Sequence, residues 1–104
     1  MNFLAPERMK NGEVVLCFGR GFIYSSNRFE GTPTEMAIAL ASQAHPCNID
    51  KILSKVFVCK EGEIITLHGD DLMPVQTAVN GRHEALNARN REVITRMRKP
   101  PETI

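Results

Sequence analysis

Three arginines, Arg82, Arg89 and Arg96, recur every seventh residue near the C-terminus, and Asn80, Asn87 and Asn90 stand among them. A guanidinium group is planar, permanently charged and forked, so it grips phosphate or carboxylate through two parallel hydrogen bonds. Asparagine adds a donor and an acceptor on one short side chain, which suits an amide or the edge of a base. Together these residues point to recognition of a compact anionic small molecule, a nucleotide above all. Arg20, within Gly19-Arg20-Gly21, is a further candidate, because glycines around an arginine can form a nest of backbone N–H groups. The weightier reading of that tripeptide is a hairpin turn, since the Gly-x-x-x-x-Gly-Lys pattern of a phosphate loop is missing.

Other reactive types are scattered. His45, Cys47, Cys59 and His68 are the residues zinc would choose, yet no Cys-x-x-Cys pair organises them. Cys17 and Cys59 read better as small core residues. His68-Gly69-Asp70-Asp71 brings an imidazole near two carboxylates, but aspartates ahead of a helix are expected as caps. Cys47 lies two residues from His45, a spacing that does not by itself set up proton transfer, and no nucleophile elbow occurs. No metal and no cofactor are therefore expected, and catalysis ranks behind binding.

With 104 residues, 42% of them hydrophobic, the chain is sized for one domain spanning residues 1–104. Thirteen Lys and Arg against twelve Asp and Glu leave a charge of +1, too little for a long-range field. Residues 82–104 are the positive pole, with six basic groups and three acidic ones. Long nucleic acid is disfavoured: the body is neutral, and stacking side chains number only five Phe and one Tyr. Three cysteines and no leader-like apolar run suggest a reducing, cytoplasmic protein. No stretch approaches the ~20 apolar residues that span a bilayer, so no membrane partner is expected.

The candidate residues need elements to hold them. Residues 1–12 form an irregular lead-in closed by Asn11-Gly12, and Glu13–Phe18 with Phe22–Ser26 read as a hairpin. Thr32-Pro33-Thr34-Glu35 is a capping box with proline at the first helical position, and Pro46 bounds that helix at about His45. Ile52–Cys59 and Ile64–Leu67, joined by Lys60-Glu61-Gly62-Glu63, make a second hairpin. A long helix follows from Leu72 to Lys99, capped by Asp70 or Asp71, and Pro100-Pro101 ends it before a flexible tail at 100–104. Val14-Val15-Leu16-Cys17 and Val56-Phe57-Val58-Cys59 echo each other 42 residues apart. The expected class is α+β, a small antiparallel sheet from two hairpins, each followed by a helix (ββαββα).

Leu72, Val79, Leu86 and Val93, with Val75 and Met97, form an apolar seam on the long helix beside the arginine ladder. Leu72, Val79, Leu86, Val93 and Met97 are thus candidate interface residues, burying that edge on the sheet or on a twin helix in a homo-oligomer. Pairing across a two-fold axis would bring two arginine ladders round one groove. The alternative is a protein–protein interaction module or inhibitor that docks on a partner protein through the same helix. Both readings need one continuous rod through Gly81, a residue that weakens helices.

Overall fold

The computed structural model describes residues 6–19, 21–44 and 52–98. Four strands and two helices run in the order β1 (Val14–Phe18), β2 (Gly21–Tyr24), α1 (Pro33–Ser42), β3 (Leu53–Lys60), β4 (Glu63–Leu67), α2 (Leu72–Arg98). The strands make one antiparallel sheet in the order β2-β1-β3-β4, so the expected α+β class holds. The string is not a bare pair of hairpins and helices, because 3-10 turns at Pro6–Arg8 and Gly69–Asp71 are added to it.

Alternation decides the two faces of the sheet. Val14, Leu16 and Phe18 of β1 and Val56 and Val58 of β3 point inward, where Met36, Ala37, Leu40 and Ala41 of α1 cover them. The alanines lack bulk, which lets α1 lie close to both the sheet and α2. Val15 and Cys59 point to the opposite face, where Met9 packs on them. A bulge keeps this partition intact at the start of β3. Cys17 pairs with Lys55 but Phe18 with Leu53, so Ser54 is the extra residue and Leu53 turns inward beside Phe18. The Ser54 hydroxyl donates to the Cys17 carbonyl at 2.9 Å.

The 42-residue echo has a geometric counterpart. Val15 pairs with Phe57, residues that are themselves 42 positions apart, so a local two-fold axis passes through that pair. Gly21 and Glu63, the first residues of β2 and β4, obey the same offset.

Local chemistry sets the ends of the elements. Thr32 is the N-cap of α1: its hydroxyl accepts from the Glu35 N–H at 3.2 Å, and Glu35 accepts from the Thr32 N–H at 2.8 Å. The Thr32 N–H, and after it the Thr32 hydroxyl, hold the Glu35 carboxyl below its ordinary pKa. The helix stops at Ser42; His45 and Pro46, expected to bound it, lie outside the described residues. Glu61 and Gly62 turn the second hairpin with φ of 56° and 83°, the primed geometry that suits the twist of paired strands. Gly12, at φ 91°, closes the lead-in, and its N–H donates to the Cys59 carbonyl at 2.8 Å. The lead-in, expected to be irregular, is thus tied to β3 from Met9 onward.

One expectation changes at the start of α2. Asp70 and Asp71 sit inside the 3-10 turn Gly69–Asp71, whose N-cap, His68, makes no side-chain capping bond. The Asp71 N–H donates instead to the His68 carbonyl at 3.0 Å. Backbone closure of this tight turn, with Gly69 at φ 52°, replaces the carboxylate cap.

Candidate functional site

α2 runs 27 residues without interruption, straight through Gly81. At 1.5 Å per residue that is a rod of about 40 Å. Its N-terminal part is anchored: Val75 and Val79 are fully buried in the core, each contributing about 1.5–3 kcal/mol. Gln76 ties it to the sheet, accepting the Leu53 N–H at 2.9 Å beside the bulge. Leu72, Ala78 and Leu86 pack on the core while remaining partly open. Beyond Leu86, every residue from Asn87 to Glu92 is exposed. The molecule extends 63 Å along its long axis against 31 and 24 Å across it.

The seam therefore divides. Leu72 and Val79 are spent on the protein's own core, Leu86 bridges core and solvent, and the side chains of Val93 and Met97 lie outside the described residues. The ladder divides too. Arg82 is half-buried, and its Nε is enclosed with no hydrogen-bond partner among the described residues. Arg89 is exposed, and the side chain of Arg96 lies outside the described set, as does Arg20. Successive rungs are about 10.5 Å apart along the axis.

Two of the asparagines are occupied along the helix surface. Asn80 Oδ1 accepts from Gln76 Nε2 at 3.0 Å, and Asn87 Nδ2 lies 3.0 Å from His83 Nε2, each pair four residues apart. Such i, i+4 bonds offset the poor helix propensity of asparagine. Asn90 is exposed. The described residues of the set, Arg82 and Arg89 with the three asparagines, thus lie along a helix surface rather than on the walls of a cavity. A cleft of about 180 Å³ lies elsewhere, between the Glu61 turn and the start of α1, lined by Phe29, Glu30, Met36 and Lys60 among others. None of the ladder residues lines it. Its volume is well under the ~300 Å³ at which small-molecule pockets begin.

The remaining candidates stay apart. Among the described residues no three His, Cys, Asp or Glu side chains could hold one metal ion, and His45 and Cys47 lie outside that set. Cys17 and Cys59 are free thiols; burial pushes the Cys17 pKa up, with Lys55 opposing. Among the described residues no helix is long and apolar enough to cross a membrane.

One arrangement had no motif to announce it. Glu13, at the foot of β1, is 6% exposed, and its Oε1 accepts both the Lys10 N–H and the Tyr24 hydroxyl, each at 2.5 Å. That hydrogen bond pushes the Tyr24 pKa up to about 12. The alternation Phe22-Ile23-Tyr24 was the available signal, since it places both rings on one face of β2.

Compared with known proteins, the chain matches no family model, and no curated protein or solved structure resembles it at a significant level.

Proposed function

We propose that the protein is a non-enzymatic interaction module, an adaptor or inhibitor, that presents the C-terminal part of α2 to an acidic partner protein. One observation carries this reading: α2 stays helical to Arg98, twelve residues past Leu86, which is the last of its described side chains packed on the core. Isolated helical segments of that length are marginal in water, so a projecting one gains most when a partner covers it. Charge supports an acidic partner. From Arg82 to Arg98 there are five arginines against two glutamates, a surplus of three positive charges. A facing helix with carboxylates at heptad spacing would meet the arginines at the same ~10.5 Å interval. The free thiols Cys17 and Cys59 support a reducing, cytoplasmic setting.

The test is capture of a complex from lysate with the parent chain and two variants. Loss of the same acidic partner on Leu86→Asp and on Arg89→Glu is the expected result. Equal capture by all three removes α2 from the interaction.

A second reading, binding of an anionic small molecule such as a nucleotide between two copies, is favoured by Arg82, whose enclosed Nε still has a hydrogen bond to donate. Two copies would bring like charges together, so on this reading the anion itself holds the homodimer. Native mass spectrometry separates the two: a dimer appearing only with nucleotide supports the second, and a monomer with or without nucleotide removes it.

A further inference from the structure

α1 and α2 pack on one face of the sheet, and the other, where Met9 of the lead-in covers Val15 and Cys59, carries three of the chain's aromatic residues. Phe22 and Tyr24 project from β2 on that side with 37% and 45% of their surfaces exposed, while Ile23 between them packs on the core. The register carries their rows across the sheet: Phe22 pairs with Cys17 and Cys17 with Lys55, while Tyr24 pairs with Val15 and Val15 with Phe57. Phe57 thus lies on the same face two strands away, and Lys55 Nζ stands 5.7 Å from its ring centroid. Three of the six aromatic side chains in the chain share this surface.

We propose that this outer sheet face, with Phe22, Tyr24 and Phe57 as stacking surfaces and Lys55 as phosphate contact, binds a short stretch of single-stranded nucleic acid. Phe22 and Tyr24 are two residues apart on an extended strand, about 6.8 Å, which leaves room for a flat base against each ring. A four-stranded sheet that presents aromatic rings on one face is a recurring way of stacking two or three unpaired bases. Every base has a π-face, so such a surface accepts any sequence.

Charge on this face selects an anion. Among the described residues, alternation along β1 and β3 places two charged side chains on it, Glu13 just ahead of β1 and Lys55 on β3. Glu13 is buried, with Oε1 taken up by Lys10 N–H and Tyr24 hydroxyl, whereas Lys55 is exposed. The charge offered to a ligand is therefore positive. The Tyr24–Glu13 bond also holds one ring in place before anything binds, which lowers the ordering cost of stacking. This surface is independent of α2, and the two sites are separable by mutation.

Tyr24 is the chain's one tyrosine and there is no tryptophan, so intrinsic emission reports on this surface directly. Titrating the full chain with a short oligouridylate at low salt is expected to quench that emission saturably. Anisotropy of a labelled oligonucleotide then measures the variants. Tyr24→Ala, Phe22→Ala and Phe57→Ala should each weaken binding by about 5- to 150-fold, the range for losing one stacked base. Tyr24→Phe keeps a ring and should bind within a few-fold of the parent. Lys55→Gln should weaken binding and flatten its salt dependence by a slope of about 0.7, one phosphate's worth on a single strand. Phe22 and Tyr24 are exposed, so their alanine variants should retain the parent's circular dichroism, which guards against loss of fold at Phe57. Three results would overturn the proposal: no saturable quenching at ~1 mM oligonucleotide, binding abolished by Arg89→Glu but untouched by Tyr24→Ala, or a concentration-dependent dimer that hides Tyr24.

Discussion

Replacing Gly81 by alanine should stabilise the protein, and the sign of that change is diagnostic. Glycine at a break in a helix adopts a backbone that alanine resists, so substitution there destabilises. Here Gly81 sits inside continuous helix, is absent from the positive-φ glycines, and an added Cβ would meet no atom within 4 Å. The gain is then the propensity difference for a helix interior, about 0.5–1 kcal/mol. Gly81 lies between Val79 and Leu86, both engaged with the core, so the gain enters global unfolding rather than local fraying. For a chain of this size it corresponds to a rise in Tm of about 2–8 °C. Thermal unfolding followed by far-ultraviolet circular dichroism reads it, with Gly81→Pro as counterpart, expected to cost about 3 kcal/mol or more. An unchanged or lowered Tm for Gly81→Ala would mean that α2 is not one docked rod, and the interaction reading would lose its basis.

Three further outcomes follow from local geometry. Thr32→Ala removes one half of the capping box and should cost about 1 kcal/mol in urea unfolding at neutral pH; the Glu35 contribution, present above the ordinary carboxylate range, fades on acidification. Glu61→Asn should add about 0.5–1 kcal/mol, because Glu61 holds φ 56° where asparagine is better tolerated, and its backbone N–H can still donate to Asn11 Oδ1 after the change. Tyr24 should titrate by tyrosinate absorbance near 12, and its contribution to stability, complete below the ordinary value of about 10, should disappear as pH rises through 12. Glu13→Gln should return that titration towards the ordinary value.

Local structure is legible in the sequence where one residue type has one physical job. Thr32, Pro33 and Glu35 announced a capped helix because hydroxyl, ring and carboxylate at those offsets satisfy the first-turn N–H groups and little else. Glu61-Gly62 announced a tight turn for the same reason. Asp70 and Asp71 misled because an aspartate before a helix can cap it or simply sit in a 3-10 turn, and which occurs depends on how β4 must reverse into α2. For the candidate site, the seven-residue period fixed a shared helix face but not its depth. Along the helix Val79 is buried, Leu86 half-buried and Arg89 exposed, because the underlying domain ends before the helix does. Domain extent is a tertiary quantity and leaves no mark in periodicity. The outer face was hidden for a related reason. Six aromatics in 104 residues counted against stacking, yet the alternation of β2 and the β1–β3 register gather three of them on one surface.

Amide hydrogen exchange along α2, measured with and without the captured acidic partner, tests the proposed function most directly. In the free protein, amides of residues 87–98 should exchange far faster than those of 75–82, which are held by the core. Adding the partner should slow exchange specifically across 82–98 and leave the sheet unchanged. Residues 87–98 already as slow as the docked part in the free protein, or partner protection confined to the strands, would contradict a projecting helix that serves as the docking element.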